Sequence, residues 1–119
     1  MELGLEYRQV AAKSVAILVA GTIENERHVT ELVGNASFAG AEYVMVDAER
    51  LAPGFFDLSS GFAGTVLQKF SNYRLTLIVV GYDESSASES LRALMAESRR
   101  GGAVWFVAST AEALARLGA

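Results

Sequence analysis

Apolar residues in this chain keep two rhythms, and the rhythms alternate. Val15–Ala20 and Leu75–Val80, the latter broken only by Thr76, are the longest apolar runs and are of strand length. Elsewhere the spacing is helical: Val29, Leu32, Val33 and Ala36 make one stripe, and Phe62, Val66, Leu67, Phe70 and Tyr73 another. A chain that switches repeatedly between these periods buries its apolar surface by laying helices over a sheet.

Leu5–Val10 and Ser14–Ala20 read as strands joined by a short Ala11–Lys13 turn, hence an antiparallel hairpin. A helix is expected from Asn25 to Ser37, and a third strand over Glu42–Asp47. Pro53 and Gly54 break the chain before the second helix. Arg74–Val80, the most continuous apolar strand, is expected in the centre of the sheet, buried on both sides. Ser86-Ala87-Ser88-Glu89 has the form of a capping box, with Leu91, Leu94 and Met95 facing inward behind it. Ala103–Val107 is the last strand. Ser109-Thr110-Ala111-Glu112 opens a final helix with Ala113, Leu114 and Leu117 on one side. The order is β-β-α-β-α-β-α-β-α, an α/β fold. Strands separated by helices run parallel through right-handed crossovers, and the opening hairpin makes the sheet mixed. Residues 1–119 read as a single domain.

Composition narrows the function classes. Hydrophobic residues make up 51% of the chain, yet no apolar run reaches membrane-spanning length. Met1 leads into Glu2 and Glu6, so no signal peptide is expected, and the chain reads as cytoplasmic. Cysteine is absent, which excludes disulfides, thiolate chemistry and Cys-ligated metal sites. The net charge of −4 argues against binding nucleic acid or an anionic membrane, both of which need a basic surface. Arg99 and Arg100 form the one adjacent basic pair, and they suit the last turn of a helix.

Residues 55–73, FFDLSSGFAGTVLQKFSNY, concentrate the candidate chemistry. Ser59 and Ser60 stand at the opening of the second helix, where the dipole favours negative charge. That position suits a cap, an anion site or a phosphorylation switch. Gly61 and Gly64 either let a partner backbone come close or pack tightly on the sheet. Phe55 and Phe56 form either a contact patch or a staple to the core. Asp47, Asp57, Asp83 and Glu84 fall near the carboxyl ends of the parallel strands, where ligands of open α/β sheets bind. Asp47, Asp57 and Asp83 could hold a divalent cation with water; a solvated acidic rim is the plainer reading. His28, the only histidine, reads as a surface residue of the first helix. No G-x-S-x-G elbow, P-loop or dinucleotide fingerprint is present, and Ala20-Gly21-Thr22 has one glycine where several are needed. No catalytic residue, metal or cofactor is therefore assigned.

The element order resembles that of STAS domains, the fold of bacterial anti-sigma factor antagonists and of the cytoplasmic tails of sulfate transporters. Those antagonists carry Asp-Ser-Ser-Gly after the third strand, and a partner kinase, the anti-sigma factor, phosphorylates the second serine. Asp57-Leu58-Ser59-Ser60-Gly61 occupies the same place here, with Leu58 as an extra residue. The resemblance implies Ser60 as phospho-acceptor, Ser59 as second choice and Asp57 as the neighbouring acid. Phe55-Phe56-Asp57-Leu58, LQKFSNY over 67–73 and Val104-Trp105-Phe106-Val107 resemble more closely a small bacterial family known as a domain of unknown function. The function expected is a noncatalytic regulatory module. It would bind a kinase or anti-sigma-like protein through Phe55, Phe56, Asp57, Ser59, Ser60, Gly61 and Gly64. The alternatives are a domain binding an anionic or hydrophobic small molecule, and a minor metal-assisted enzyme. A homodimer is compatible with all three.

Overall fold

In the computed structural model, which describes residues 3–118, strands β1 (Gly4–Val10) and β2 (Lys13–Ala20) form the expected antiparallel hairpin. They are followed by α1 (Glu26–Phe38), β3 (Tyr43–Asp47), α2 (Phe62–Asn72), β4 (Thr76–Val80), α3 (Glu89–Ser98), β5 (Val104–Val107) and α4 (Thr110–Leu117). The strands lie in the order β1-β2-β3-β4-β5, and β2 through β5 are parallel. The mixed, mostly parallel α/β sheet is therefore present as expected. β3, not β4, lies in the middle. Leu77–Val80 are nonetheless buried throughout. Helix cover on both faces and a partner on each side bury any interior strand, so continuous apolarity marks interior position rather than the exact centre.

Register distributes the core. Ala16, Leu18, Val44, Val46, Leu77, Val79 and Val104 face one side, under Val29, Leu32, Val33 and Ala36 of α1 and Ala63, Val66 and Phe70 of α2. Val15, Met45, Ile78, Val80 and Val107 face the other, under Ala113 and Leu117 of α4. Successive right-handed crossovers in one direction send α1 and α2 to the same face. α3 packs against β5. The ion pair of Lys69 Nζ with Glu26 Oε2, at 3.3 Å, ties α2 to α1.

Helix ends differ from the sequence reading in several places. Asn25 caps α1 by accepting from the His28 N–H at 3.0 Å. His28 is buried, not a surface residue, and its Nδ1 accepts from the Glu24 N–H at 3.0 Å. The ring closes the first turn of α1 against the core, so a polar group there carries packing as well as hydrogen bonding. The cap of α3 is Ser88, whose Oγ accepts from the Leu91 N–H at 3.1 Å; Ser86 belongs to a preceding 3₁₀ turn, Glu84–Ser86. Ser109 caps α4 as expected, accepting from the Glu112 N–H at 3.1 Å. Tyr73, read as part of the α2 stripe, lies just past the helix end and is exposed.

The hairpin turn is tighter than expected. Val10 pairs with Lys13, leaving Ala11 and Ala12 as the loop, with φ of 49° and 69°. Both central residues of such a turn need positive φ, which suits Asn-Gly and strains alanine. Replacing Ala12→Gly removes that strain, offset in part by the greater entropy of glycine in the unfolded chain. A gain of about 0.5–1 kcal/mol is expected, read as a raised midpoint in urea unfolding with unchanged slope.

Candidate functional site

Parallel strands end on one edge, and the loops that follow β3 and β4 meet there. The loop after β3 is held near its start before it presents anything. Arg50 donates from Nη1 to the Gly21 carbonyl at 3.1 Å and from Nη2 to the Val19 carbonyl at 2.9 Å. Ile23 and Leu51 form a single parallel bridge, with Ile23 N–H to Arg50 O at 2.7 Å and Ala52 N–H to Ile23 O at 2.9 Å. Pairing between β2 and β3 thus resumes beyond the strand ends.

Three short 3₁₀ turns then fill the loop: Ala48–Arg50, Pro53–Phe55 and Leu58–Ser60. Proline at the first position of the second turn has no N–H to satisfy there. The turn drives Phe55 into the core, where it is fully buried. Phe56 stays at the edge. It meets Phe55 edge-on, with centroids 5.1 Å apart, and stacks on Tyr82 from the next loop at 4.2 Å and an interplanar angle of 4°.

The third turn carries the serines. Asp57 Oδ1 accepts from the Ser59 N–H at 3.1 Å and from the Ser59 hydroxyl at 2.6 Å. The extra Leu58 therefore sets Asp57 at the cap of this turn, two residues ahead of the serine it holds. Ser60 Oγ donates to the Gly54 carbonyl at 2.6 Å and accepts from the Phe62 N–H at 3.2 Å. The helix itself begins at Phe62, after the serine pair. Gly61 stands at its N-cap with φ of 80°, a left-handed conformation that favours glycine. Gly64 is exposed on α2 and nothing lies within 4 Å of where a Cβ would stand, so it does not pack tightly on the sheet.

The loop after β4 repeats the device. Asp83 Oδ1 accepts from the Ser85 N–H at 3.0 Å and from the Ser85 hydroxyl at 2.7 Å. Asp57-Leu58-Ser59-Ser60 and Asp83-Glu84-Ser85-Ser86 are the same D-x-S-S pattern on consecutive loops, a spacing visible in the chain that the sequence reading passed over. Between the two turns lies a groove of about 600 Å³, walled by Leu51, Pro53, Phe56 and Tyr82 and rimmed by Glu49, Asp57 and Asp83. A second cavity of about 490 Å³ shares Tyr82 and Asp83 and extends to Phe106, Arg99 and Glu112. Arg99 pairs with Glu84 at 3.4 Å.

Of the sequence candidates, Phe56, Asp57 and Asp83 come together on the groove, and Ser59 and Ser60 sit on the turn beside it. Phe55 is core. Tyr82, the other half of the aromatic wall, was missed; a lone tyrosine after a strand carries no spacing signal. Asp47 ends β3 and is not part of the groove lining. Among the described residues no group of three His, Cys, Asp or Glu side chains is placed to hold a metal ion, so the three aspartates do not form the cation site considered above. No helix among these residues is long and apolar enough to cross a membrane.

Residues 11–117 match the family model described as Domain of unknown function (DUF4180). The chain belongs to this family. No curated protein matches the chain. Among solved structures it is similar to that of the anti-sigma factor antagonist SpoIIAA in its unphosphorylated form, with 18% identity, coverage of 96% of this chain and 97% of that one, and a TM-score of 0.47. The resemblance to a domain-of-unknown-function family thus has its counterpart in the matching family model.

Asp83 keeps its charge further into acid than an ordinary carboxylate. Hydrogen bonds from the Ser85 hydroxyl, then the Ser85 N–H, hold the Asp83 carboxyl below its ordinary value of 3.8; slight desolvation opposes them, and Ser86 adds to them. A carboxyl whose folded value is depressed stabilises the fold above the unfolded value, and that contribution is lost as pH falls through the folded one. The Asp83 ¹³Cγ resonance should therefore titrate below the ordinary range, and Ser85→Ala should move it upward toward 3.8. An unmoved titration in Ser85→Ala would separate the serine from the shift.

Proposed function

We propose that residues 1–119 form one noncatalytic, cytoplasmic regulatory domain that binds a protein partner through the edge between β3 and α2, switched by phosphorylation of Ser60. The observation that carries this reading is the bonding of Ser60. Its hydroxyl is exposed, yet its single proton is committed to the Gly54 carbonyl and its lone pair to the first N–H of α2. Esterification removes that proton. A phosphoryl group of nearly two negative charges then stands where an oxygen had donated to a carbonyl at 2.6 Å. The helix dipole attracts the new charge and the Gly54 carbonyl repels it. Relief comes from turning the Gly54 peptide away, which shifts Pro53 and Phe56 on one wall of the groove while the Phe55 side chain stays in the core. Phosphate thus changes the docking surface while the anchors at Phe55 and Arg50 keep the fold.

Gly61 and Gly64 fit the same reading: both are exposed beside Ser60, and the bare α2 backbone at Gly64 permits close approach by a partner. A nucleophilic serine is the weaker reading. Activation needs a base that can take the proton. The hydroxyl of Ser59 faces a carboxylate already bound by its own N–H, that of Ser60 faces a carbonyl, and His28 is turned into the core.

The domain recovered from its own cells should carry phosphate on Ser60 by peptide mass spectrometry. A partner captured by the wild type and by Ser60→Ala should be held roughly tenfold more weakly by Ser60→Asp, about 1.4 kcal/mol, with unchanged circular dichroism. Equal capture by all three forms removes the switch. Gly64→Ala should act oppositely on stability and binding. Alanine stabilises an exposed helix position by about 0.5–1 kcal/mol relative to glycine, while its methyl group should reduce partner capture.

A further inference from the structure

The groove between the two D-x-S-S turns has features that the switch at Ser60 does not use. Its floor and walls are apolar, with Leu51, Pro53 and the stacked Phe56–Tyr82 pair. Its rim carries Glu49, Asp57 and Asp83, and among the described residues no basic side chain lines it. In both aspartates Oδ1 is taken by a serine two residues on, so each carboxylate is fixed in place at the rim. The adjoining cavity adds Glu84 and Glu112, and its one cation, Arg99, already faces Glu84. The groove therefore lies within an edge of like charge.

We infer that this groove receives a basic segment of a partner protein, with a lysine or arginine stem lying on the Phe56–Tyr82 wall and its charge among Glu49, Asp57 and Asp83. The inference rests on the protein-binding reading above and names the chemistry of the partner. Charge complementarity chooses this occupant. An acidic segment would meet three carboxylates at once, and an uncharged apolar one would desolvate them without return. A long cationic side chain meets both demands, because its methylenes or guanidinium plane pack on aromatic and aliphatic surface while its charge stays at the carboxylates. A second copy of the chain is disfavoured by the same rule, since the two rims would carry the same charge.

The test uses a fluorescein-labelled octa-arginine peptide, with octa-glutamate and an uncharged Gly-Leu repeat as comparators, in physiological salt. Anisotropy gives affinity, and ¹H–¹⁵N shifts of the full chain give location. Octa-arginine should bind, with shifts centred on Glu49, Phe56, Asp57, Gly81, Tyr82 and Asp83. The double change Asp57→Asn and Asp83→Asn keeps an amide oxygen for each turn, so the fold should survive it. It should weaken binding at least tenfold, as should Phe56→Ala. A control that removes the same charge elsewhere, Glu6→Gln with Glu97→Gln, should leave affinity within about twofold. The inference is overturned if the control pair weakens binding as much as the groove pair, if shifts spread over the whole acidic surface, or if either comparator binds as well. The two readings fail separately. Groove binding in a protein that never carries phosphate at Ser60 leaves this inference standing and removes the switch. A Ser60-controlled partner with no peptide in the groove does the reverse.

Discussion

Burial of Phe55 is the interaction on which the edge of this molecule depends. The stretch from Ala48 to Gly61 has no strand and no α-helix, only three 3₁₀ turns, and such turns have little stability of their own. One side chain in the middle of it is fully buried among residues of β2, β3, α1 and α2. Burying a phenylalanine contributes about 1.5–3 kcal/mol, enough to order several loop residues around it. Leu51 adds a second buried point, and Arg50 closes the frame by donating to two carbonyls at the end of β2. Nε of Arg50 is buried without a partner, a penalty accepted for placing the two Nη groups. With the loop held at 50, 51 and 55, the residues between and beyond them have defined positions. Phe56 can only point to the edge, because its neighbour points into the core.

The same economy appears in the serine turns. An Asp two residues before a Ser can take both the N–H and the hydroxyl of that serine with one oxygen, which satisfies the turn. Two consecutive loops use this solution, and the groove lies between them. Acidity at this edge is thus tied to the local structure: Asp57 and Asp83 are present because their turns require an acceptor, and the field at the groove follows from it. Ser60 departs from the pattern. Its hydroxyl bonds to neither aspartate but to the carbonyl of Gly54 and the N–H of Phe62, so it links the second turn to the helix. Chemistry at Ser60 is therefore felt at Pro53–Phe55, whereas loss of the Ser59 hydroxyl would be felt only within its own turn.

Most of the architecture was legible in the chain because it is carried by periodicity. Val29, Leu32, Val33 and Ala36 are all buried in α1, and the order of strands and helices is the one the alternating rhythms require. What escaped is what has no period. A three-residue turn repeats nothing, so the segment between β3 and α2 read as a break followed by a helix start. Ser86 has a glutamate three residues on and so reads as the cap, yet the preceding turn, held by Asp83, takes Ser86 and leaves Ser88 to open the helix. His28 looked exposed because histidine usually is; the Glu24 N–H, four residues back, supplies the partner that lets it stay inside. For the site, Phe56 and Asp57 could be named, since they lie in one run. Tyr82 and Asp83 reach them from 26 residues further along the sequence, through the parallel register of β3 with β4, in which Asp47 pairs with Val80.

Unequal cover of the sheet extends the argument to the opposite end of the chain. One face lies under α1 and α2, whereas the other is covered by α4, a helix of eight residues. A helix that short is unstable alone, so it persists through its contacts. Ser109 caps its start, and Lys13 Nζ donates to the Leu117 carbonyl at 3.0 Å near its end, joining it to the hairpin. Arg116 lies 4.2 Å above the ring of Trp105, which in turn packs on Tyr43 at 5.2 Å. These contacts press β5 onto the sheet from the α4 side. Phe106, between Trp105 and Val107, faces the other way and lines the cavity next to Tyr82. Weakening α4 would thus loosen β5 first, and through Phe106 the support beneath Tyr82. The aromatic wall of the groove is consequently held from two directions, by Phe55 through Phe56 and by α4 through β5.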